Sequence, residues 1–160
     1  MMGAGKSSVG KRLAEKLGLP FFDLDSWIAD EEGLSIAALF DTRGEAAFRD
    51  LEAKVLASFL TNPHTSVLSI GGGAVTDAQN RTALNGQERV VWLRAKAATL
   101  ASRVGDGADR PLLSGQDVAS ELARLSQVRE SMYTEVADVI VDVDDLTIDD
   151  VVDRVVGALA

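Results

Sequence analysis

Met1-Met2-Gly3-Ala4-Gly5-Lys6-Ser7-Ser8 opens the chain and leads directly into Val9, Leu13 and Leu17, apolar residues spaced as one helix face. Glycines at these places let backbone N–H groups close around an anion without Cβ clashes. The start of the helix adds about half a positive charge. Lys6 can reach terminal phosphates, and the Ser7 hydroxyl can ligate magnesium. The complete phosphate-loop pattern asks for one more glycine five residues before Gly5, which falls ahead of Met1. A glycine-rich start before an ordinary capped helix would use the same residues. The Gly-Lys-Ser opening within an alternating helix–strand chain favours the nucleotide site.

Outward from this loop, helix and strand periods alternate. The first helix spans 6–17, stops at Gly18 and is followed by Pro20. A strand is expected at 21–24, then a helix capped by Ser26 that includes Trp27 and Ile28. Ser35 opens a short helix through Ile36, Leu39 and Phe40. A longer one at 45–60 carries Phe48, Leu51, Val55 and Phe59 on one face. Strands follow at 66–70, ending in Gly71-Gly72-Gly73, and at 89–93 and 139–143. Helices are expected from Asp77, at 96–103, at 116–133 and at 148–159, the last capped by Thr147 with Asp149 and Asp150 against its dipole. This order predicts an α/β fold: three layers, α/β/α, around a parallel sheet. The strands number one fewer than such a sheet needs, because nothing precedes the phosphate loop.

Composition bounds the function. At 160 residues the chain makes one domain, 1–160, and 46% hydrophobic residues suffice for a packed core. The net charge of −9 argues against nucleic acid or an anionic membrane as partner, since both need a basic footprint. There is no cysteine and a single histidine, His64 in an expected loop, so thiolate and multi-histidine metal sites are excluded. No apolar run approaches the ~20 residues of a membrane span. No signal peptide opens the chain, and a cytoplasmic monomer is expected.

Other residues carry chemistry. Asp23 and Asp25, two apart at the end of a strand, are expected on one side, beyond the carboxyl ends where open α/β sheets bind ligands. One carboxylate could hold a magnesium-bound water and the other orient or deprotonate an acceptor hydroxyl, although a capping role before Trp27 accounts for an aspartate equally well. Gly71, Gly72 and Gly73 permit close backbone approach or simply make a tight turn. Arg49 and Glu52 are spaced as a helical ion pair. Arg129 lies along the apolar seam of its helix, where a guanidinium must snorkel or meet an anion. Arg110 sits in Gly105-Asp106-Gly107-Ala108-Asp109-Arg110-Pro111, a segment within 104–114 suited to a mobile lid or to a solvated loop.

Together these motifs resemble the shikimate kinases, small phosphate-loop enzymes of aromatic amino-acid and chorismate biosynthesis. The likeness runs from Gly3 to about Val143 through Gly-Ala-Gly-Lys-Ser-Ser, Phe-Phe-Asp-Leu-Asp, Phe-Arg-Asp-Leu-Glu, Ser-Ile-Gly-Gly-Gly-Ala-Val, Asp-Arg-Pro-Leu-Leu and Arg-Glu-Ser-Met-Tyr, in order. The resemblance implies phosphoryl transfer from Mg-ATP to the 3-hydroxyl of shikimate, giving 3-phosphoshikimate and ADP. It implies that Gly3, Ala4, Gly5, Lys6, Ser7 and Ser8 wrap the phosphates. Ser7 would hold Mg²⁺, with Asp23 in its water shell. Asp25 would hold the acceptor hydroxyls. Arg49 and Arg129 would grip the carboxylate, Gly71–Gly73 would approach the ring, and Phe40 and Phe48 would line the pocket. Arg110 would close on the phosphates, Arg103 would stack on adenine, and Lys6, Asp25 and Arg110 would be catalytic. Asp144-Asp145-Leu146 stands where the family often offers a basic residue near adenine.

The family also places a buried central strand before the phosphate loop. About five apolar side chains at roughly 1.5–3 kcal/mol each would equal a domain's stability of ~5–15 kcal/mol, so the working protein is expected to begin upstream of Met1. A gluconate-kinase-like enzyme and an inactive nucleotide- or shikimate-binding module are the competing readings.

Overall fold

In the computed structural model, residues 1–61, 65–87, 89–105, 111–113 and 117–159 are described. Helix α1 (Lys6–Leu17) has the predicted bounds, and its last turn closes on Gly18 in the left-handed region at φ 65°. Strand β1 (Phe21–Asp23) hands over at once to α2 (Leu24–Glu32). The cap of α2 is Asp23, not Ser26: the Asp23 carboxylate accepts the Ser26 N–H at 3.3 Å. Asp25 therefore sits in a first helical turn, and strand alternation does not relate it to Asp23.

Ser35 caps α3 (Ile36–Leu60) through the Ala38 N–H, and Gly44 at φ 81°, ψ 164° kinks the helix between the two segments read separately in the sequence. Strand β2 (Val67–Ser69) ends before the glycine run, and a 3-10 turn at Ala74–Thr76, absent from the sequence reading, precedes α4 (Ala78–Asn85). The remaining elements are β3 (Val91–Arg94), α5 (Ala97–Val104), a second 3-10 turn at Pro111–Leu113, α6 (Val118–Val136), β4 (Val139–Asp142) and α7 (Ile148–Leu159). Thr147 and Asp150 cap α7 reciprocally, each backbone N–H bonded by the other side chain.

All strand pairs described are parallel, as expected, but they form two pairs rather than one sheet: β1 with β2, and β3 with β4. Alternation assigns the layers. Val91 and Leu93 share a cavity of about 230 Å³ with α1 and α7, whereas Trp92 stacks on Tyr133 of α6. Residues 65–70 line that same cavity consecutively, which a strand can do only along its edge. Two apolar cores result, a larger one joining α1, α6, α7, β3 and β4, and a smaller one joining α2 and α3. No described helix is long and apolar enough to cross a membrane.

Candidate active site

The phosphate loop owes its shape to Gly3 and Gly5, at φ 76° and 85°, which only glycine adopts freely. Gly3 also has no room for a side chain, since a Cβ there would lie 2.8 Å from the Leu100 carbonyl oxygen. The loop delivers Lys6, whose Nζ donates to the Met1 carbonyl at 2.9 Å, and Ser7, whose hydroxyl donates to Asp23 at 2.6 Å. Ser7 thus joins the start of α1 to the cap of α2.

A cleft of about 540 Å³ opens from this point. Gly3, Gly5, Lys6, Ser7, Ser8 and Arg103 line one part, while Asp25, Phe40, Phe48, Arg49, Gly71, Gly72, Gly73 and Arg129 line the rest, with Asp23 among them. Residues from six separate stretches of sequence therefore share one surface. Ala4 is the exception among the described candidates, because its side chain is buried in the larger core. Arg110 lies outside the described residues, as do most of the expected lid and His64.

The far end of the cleft is cationic inside an acidic protein. Arg49 packs its guanidinium over Phe48 at 5.3 Å and Phe40 at 5.8 Å, and Nη1 donates to Glu52 at 2.6 Å. Glu52 is fully buried, and burial pushes its carboxyl above the usual range despite Arg49 beside it. Arg129 is 5% exposed, and its Nη1 donates to the Gly72 carbonyl at 3.2 Å. A Cβ on Gly73 would collide with the Arg49 guanidinium, and one on Gly71 with Glu52 and Asp25. Absence of side chains is what lets the glycine run pass between the arginines and the aspartate.

At the opposite end, Arg103 Nη2 donates to the Val143 carbonyl at 2.9 Å and the Asp144 carbonyl at 3.4 Å. Asp144 is itself engaged by the Lys96 N–H and the Thr99 hydroxyl. The loop after β4 is thus tied down by the Arg103 guanidinium on its carbonyls and by the Asp144 carboxylate on Lys96 and Thr99. Sequence reading missed the lining residues Ser69, Ile36 and Leu112 and the contribution of Tyr133, whose hydroxyl meets Gly72. A lone serine ending a strand and a tyrosine ending a helix carry no local signal of a site.

Asp23 and Ser7 together offer two hard oxygens, suited to Mg²⁺. Among the described residues no group of three histidines, cysteines or carboxylates could hold a metal ion alone. An ion at Ser7 and Asp23 fits the habit of Mg²⁺, which takes few protein ligands and completes its shell with phosphates and water.

The shikimate kinase family model matches residues 2–160. A shikimate kinase of Rhodopseudomonas palustris is 43% identical over 159 residues, covering 99% of this chain and 77% of the relative. One from Ruegeria pomeroyi is 40% identical over 160 residues, covering 100% of this chain and 82% of its own length. Among solved structures, shikimate kinase from Acinetobacter baumannii in complex with shikimate superposes with a TM-score of 0.93 at 34% identity, over 97% of this chain and 86% of that one. The Bacteroides thetaiotaomicron shikimate kinase gives 0.89 at 32% identity, over 99% and 93%. With a phosphate loop, paired arginines and near-complete matches in sequence and structure, the chain belongs to the shikimate kinase family, which are ATP-dependent kinases.

Proposed function

We propose that the cleft divides the phosphorylation of shikimate among its residues as follows. One observation carries the assignment: a phosphate loop and two largely buried arginines share one cleft, with Asp25 and the glycine run between them. The loop amides and the α1 N-terminus favour the ATP phosphates, and Lys6 adds a mobile positive charge. Ser7 and Asp23 would hold Mg²⁺, which supplies charge neutralisation between phosphates when bound. Arg49 and Arg129 each present a planar fork to the acceptor's carboxylate. That grip sets the ring's direction, so that a hydroxyl faces Asp25 and the γ-phosphoryl group. Asp25 orients that hydroxyl and is placed to accept its proton. Phe40 and Phe48 exclude water from the carboxylate end. Arg103 is held where it can pack on the adenine, and Arg110 is assigned to the phosphates by its place in the motif.

The test is ADP release from Mg-ATP with and without shikimate, with gluconate as a control acceptor. Release that depends on shikimate and not on gluconate is expected. Release with gluconate alone would sink the assignment of the acceptor site. An Asp25→Asn variant that keeps shikimate affinity and nearly full turnover would remove Asp25 from the chemistry.

A further inference from the structure

Tyr133 is the only tyrosine in the sequence, and none of the roles assigned above uses it. It follows Arg129 by four residues on α6, so the two side chains leave the same helix face. Both reach one atom. The Tyr133 hydroxyl donates to the Gly72 carbonyl oxygen at 2.6 Å, and Arg129 Nη1 donates to the same oxygen at 3.2 Å. The phenol ring is 7% exposed and stacks on Trp92, with centroids 5.1 Å apart and planes at 22°. Burial pushes its hydroxyl up to about 12, so it stays a donor throughout the neutral range.

A backbone carbonyl has two lone pairs and accepts from both donors, so the Tyr133 bond alone still leaves the half-buried Gly72 oxygen paired when Arg129 turns away. The tyrosine bond is the shorter and comes from a ring that packing holds still. The arginine bond is longer and comes from a side chain with four further N–H groups. The Gly72–Gly73 peptide is trans, so a carbonyl aimed at α6 turns the Gly73 N–H away from it. Holding the Gly72 oxygen therefore fixes the orientation of the glycine run. A Cβ added to Gly72 would lie 3.1 Å from the Met1 Cα and 3.3 Å from the Tyr133 oxygen, so only glycine lets the run pass this close to both.

We propose that Tyr133 is a positioning residue: it keeps the Gly72 carbonyl bonded and the Gly71–Gly73 backbone in place while Arg129 turns its guanidinium to the acceptor's carboxylate. The proposal rests on the functional reading above. Without the phenol hydroxyl, Arg129 must either stay on Gly72 or leave that carbonyl without a side-chain donor to hold it, and each outcome weakens the carboxylate grip. Trp92 serves as the platform that sets the direction of the phenol.

Tyr133→Phe keeps the ring and removes the bond. Its shikimate KM is expected to rise about tenfold, the scale of one lost hydrogen bond, with kcat and the KM for ATP unchanged. An unchanged shikimate KM, or a loss shared equally between both substrates, would overturn the proposal. A second measurement needs no variant. Tyrosine labelled at the ζ-carbon gives one NMR signal, which should move on adding shikimate and not on adding ADP; a signal indifferent to saturating shikimate would overturn it. Wild-type protein without shikimate-dependent turnover would instead count against the functional reading. The bond itself is then read in the free protein, where the Gly72 carbonyl carbon must shift between wild type and Tyr133→Phe. Identical shifts would refute it.

Discussion

Glu52 accepts the Nη1 hydrogen of Arg49 at 2.6 Å from one helical turn further along α3, with its own carboxylate wholly removed from water. Its second oxygen, Oε1, has no hydrogen-bond partner among the described residues. The pair is thus more than the surface ion pair its spacing suggests. It holds the Arg49 guanidinium over Phe40 and Phe48, at the price of a buried charge.

That cost has a pH signature. Burial raises the folded-state carboxyl of Glu52 above its ordinary 4.5, and the charge of Asp25 adds to the rise, against the pull of Arg49. A raised folded value means that the stability from protonated Glu52 is fully present below 4.5 and is lost as pH rises through the folded value. Glu52→Gln is neutral at every pH and lacks this dependence. The urea midpoint of wild type minus that of Glu52→Gln should therefore fall as pH rises from 4.5 through the folded value and level off above it. A flat difference would mean that Arg49 fully offsets the burial.

A Cβ on Gly73 has room only if the Arg49 guanidinium moves. Gly73→Ala should push the guanidinium out of line with the acceptor. A misplacement of about 1 Å lowers kcat/KM by as much as a hundredfold, and the loss is expected for shikimate with the KM for ATP unaffected. Steady-state kinetics in both substrates check this, and a loss confined to ATP would refute it.

Arg129→Lys keeps the charge and loses the fork. Lysine cannot span both carboxylate oxygens, and one charge-assisted hydrogen bond is worth about tenfold or more in affinity. Shikimate binding measured by calorimetry should weaken by that factor, while ADP binding stays the same. Equal shikimate affinity in the variant would remove Arg129 from the carboxylate site.

Ser7→Ala removes the hydroxyl that now donates to Asp23 at 2.6 Å. The Mg²⁺ concentration for half-maximal rate should rise by at least about tenfold, with the shikimate KM at saturating Mg²⁺ unchanged. A magnesium titration that superposes on wild type would place the ion elsewhere.

Much of the fold was legible in the sequence because its causes are local. Helix α1 was read to the residue: its apolar spacing, its glycine stop and its phosphate loop all act within four residues of one another. The caps at Ser35, Asp77 and Thr147 are likewise bonds between near neighbours. Strand ends were less legible. β3 runs from Val91 to Arg94 where 89–93 was read, because its bounds depend on register with β4, some 48 residues away in the chain. The α2 cap is Asp23 and not Ser26 because the strand before it ends early; the capping role that the sequence allowed an aspartate before Trp27 is the one Asp23 takes.

The sequence by itself determined the order of elements, the phosphate loop and the residue types that a carboxylate and a nucleotide require. Tertiary structure decided which of them meet. Ser7 finds Asp23, Arg129 and Tyr133 find one carbonyl on Gly72, and Arg103 finds the loop after β4, across separations of 16, 57, 61 and 40 residues. It also decided that the strands described stand as two parallel pairs, and that Glu52 is buried rather than exposed. Local hydrogen bonds and apolar periodicity are written into neighbouring residues. Which distant side chains share a surface, and how much water remains around them, depends on how the whole chain packs.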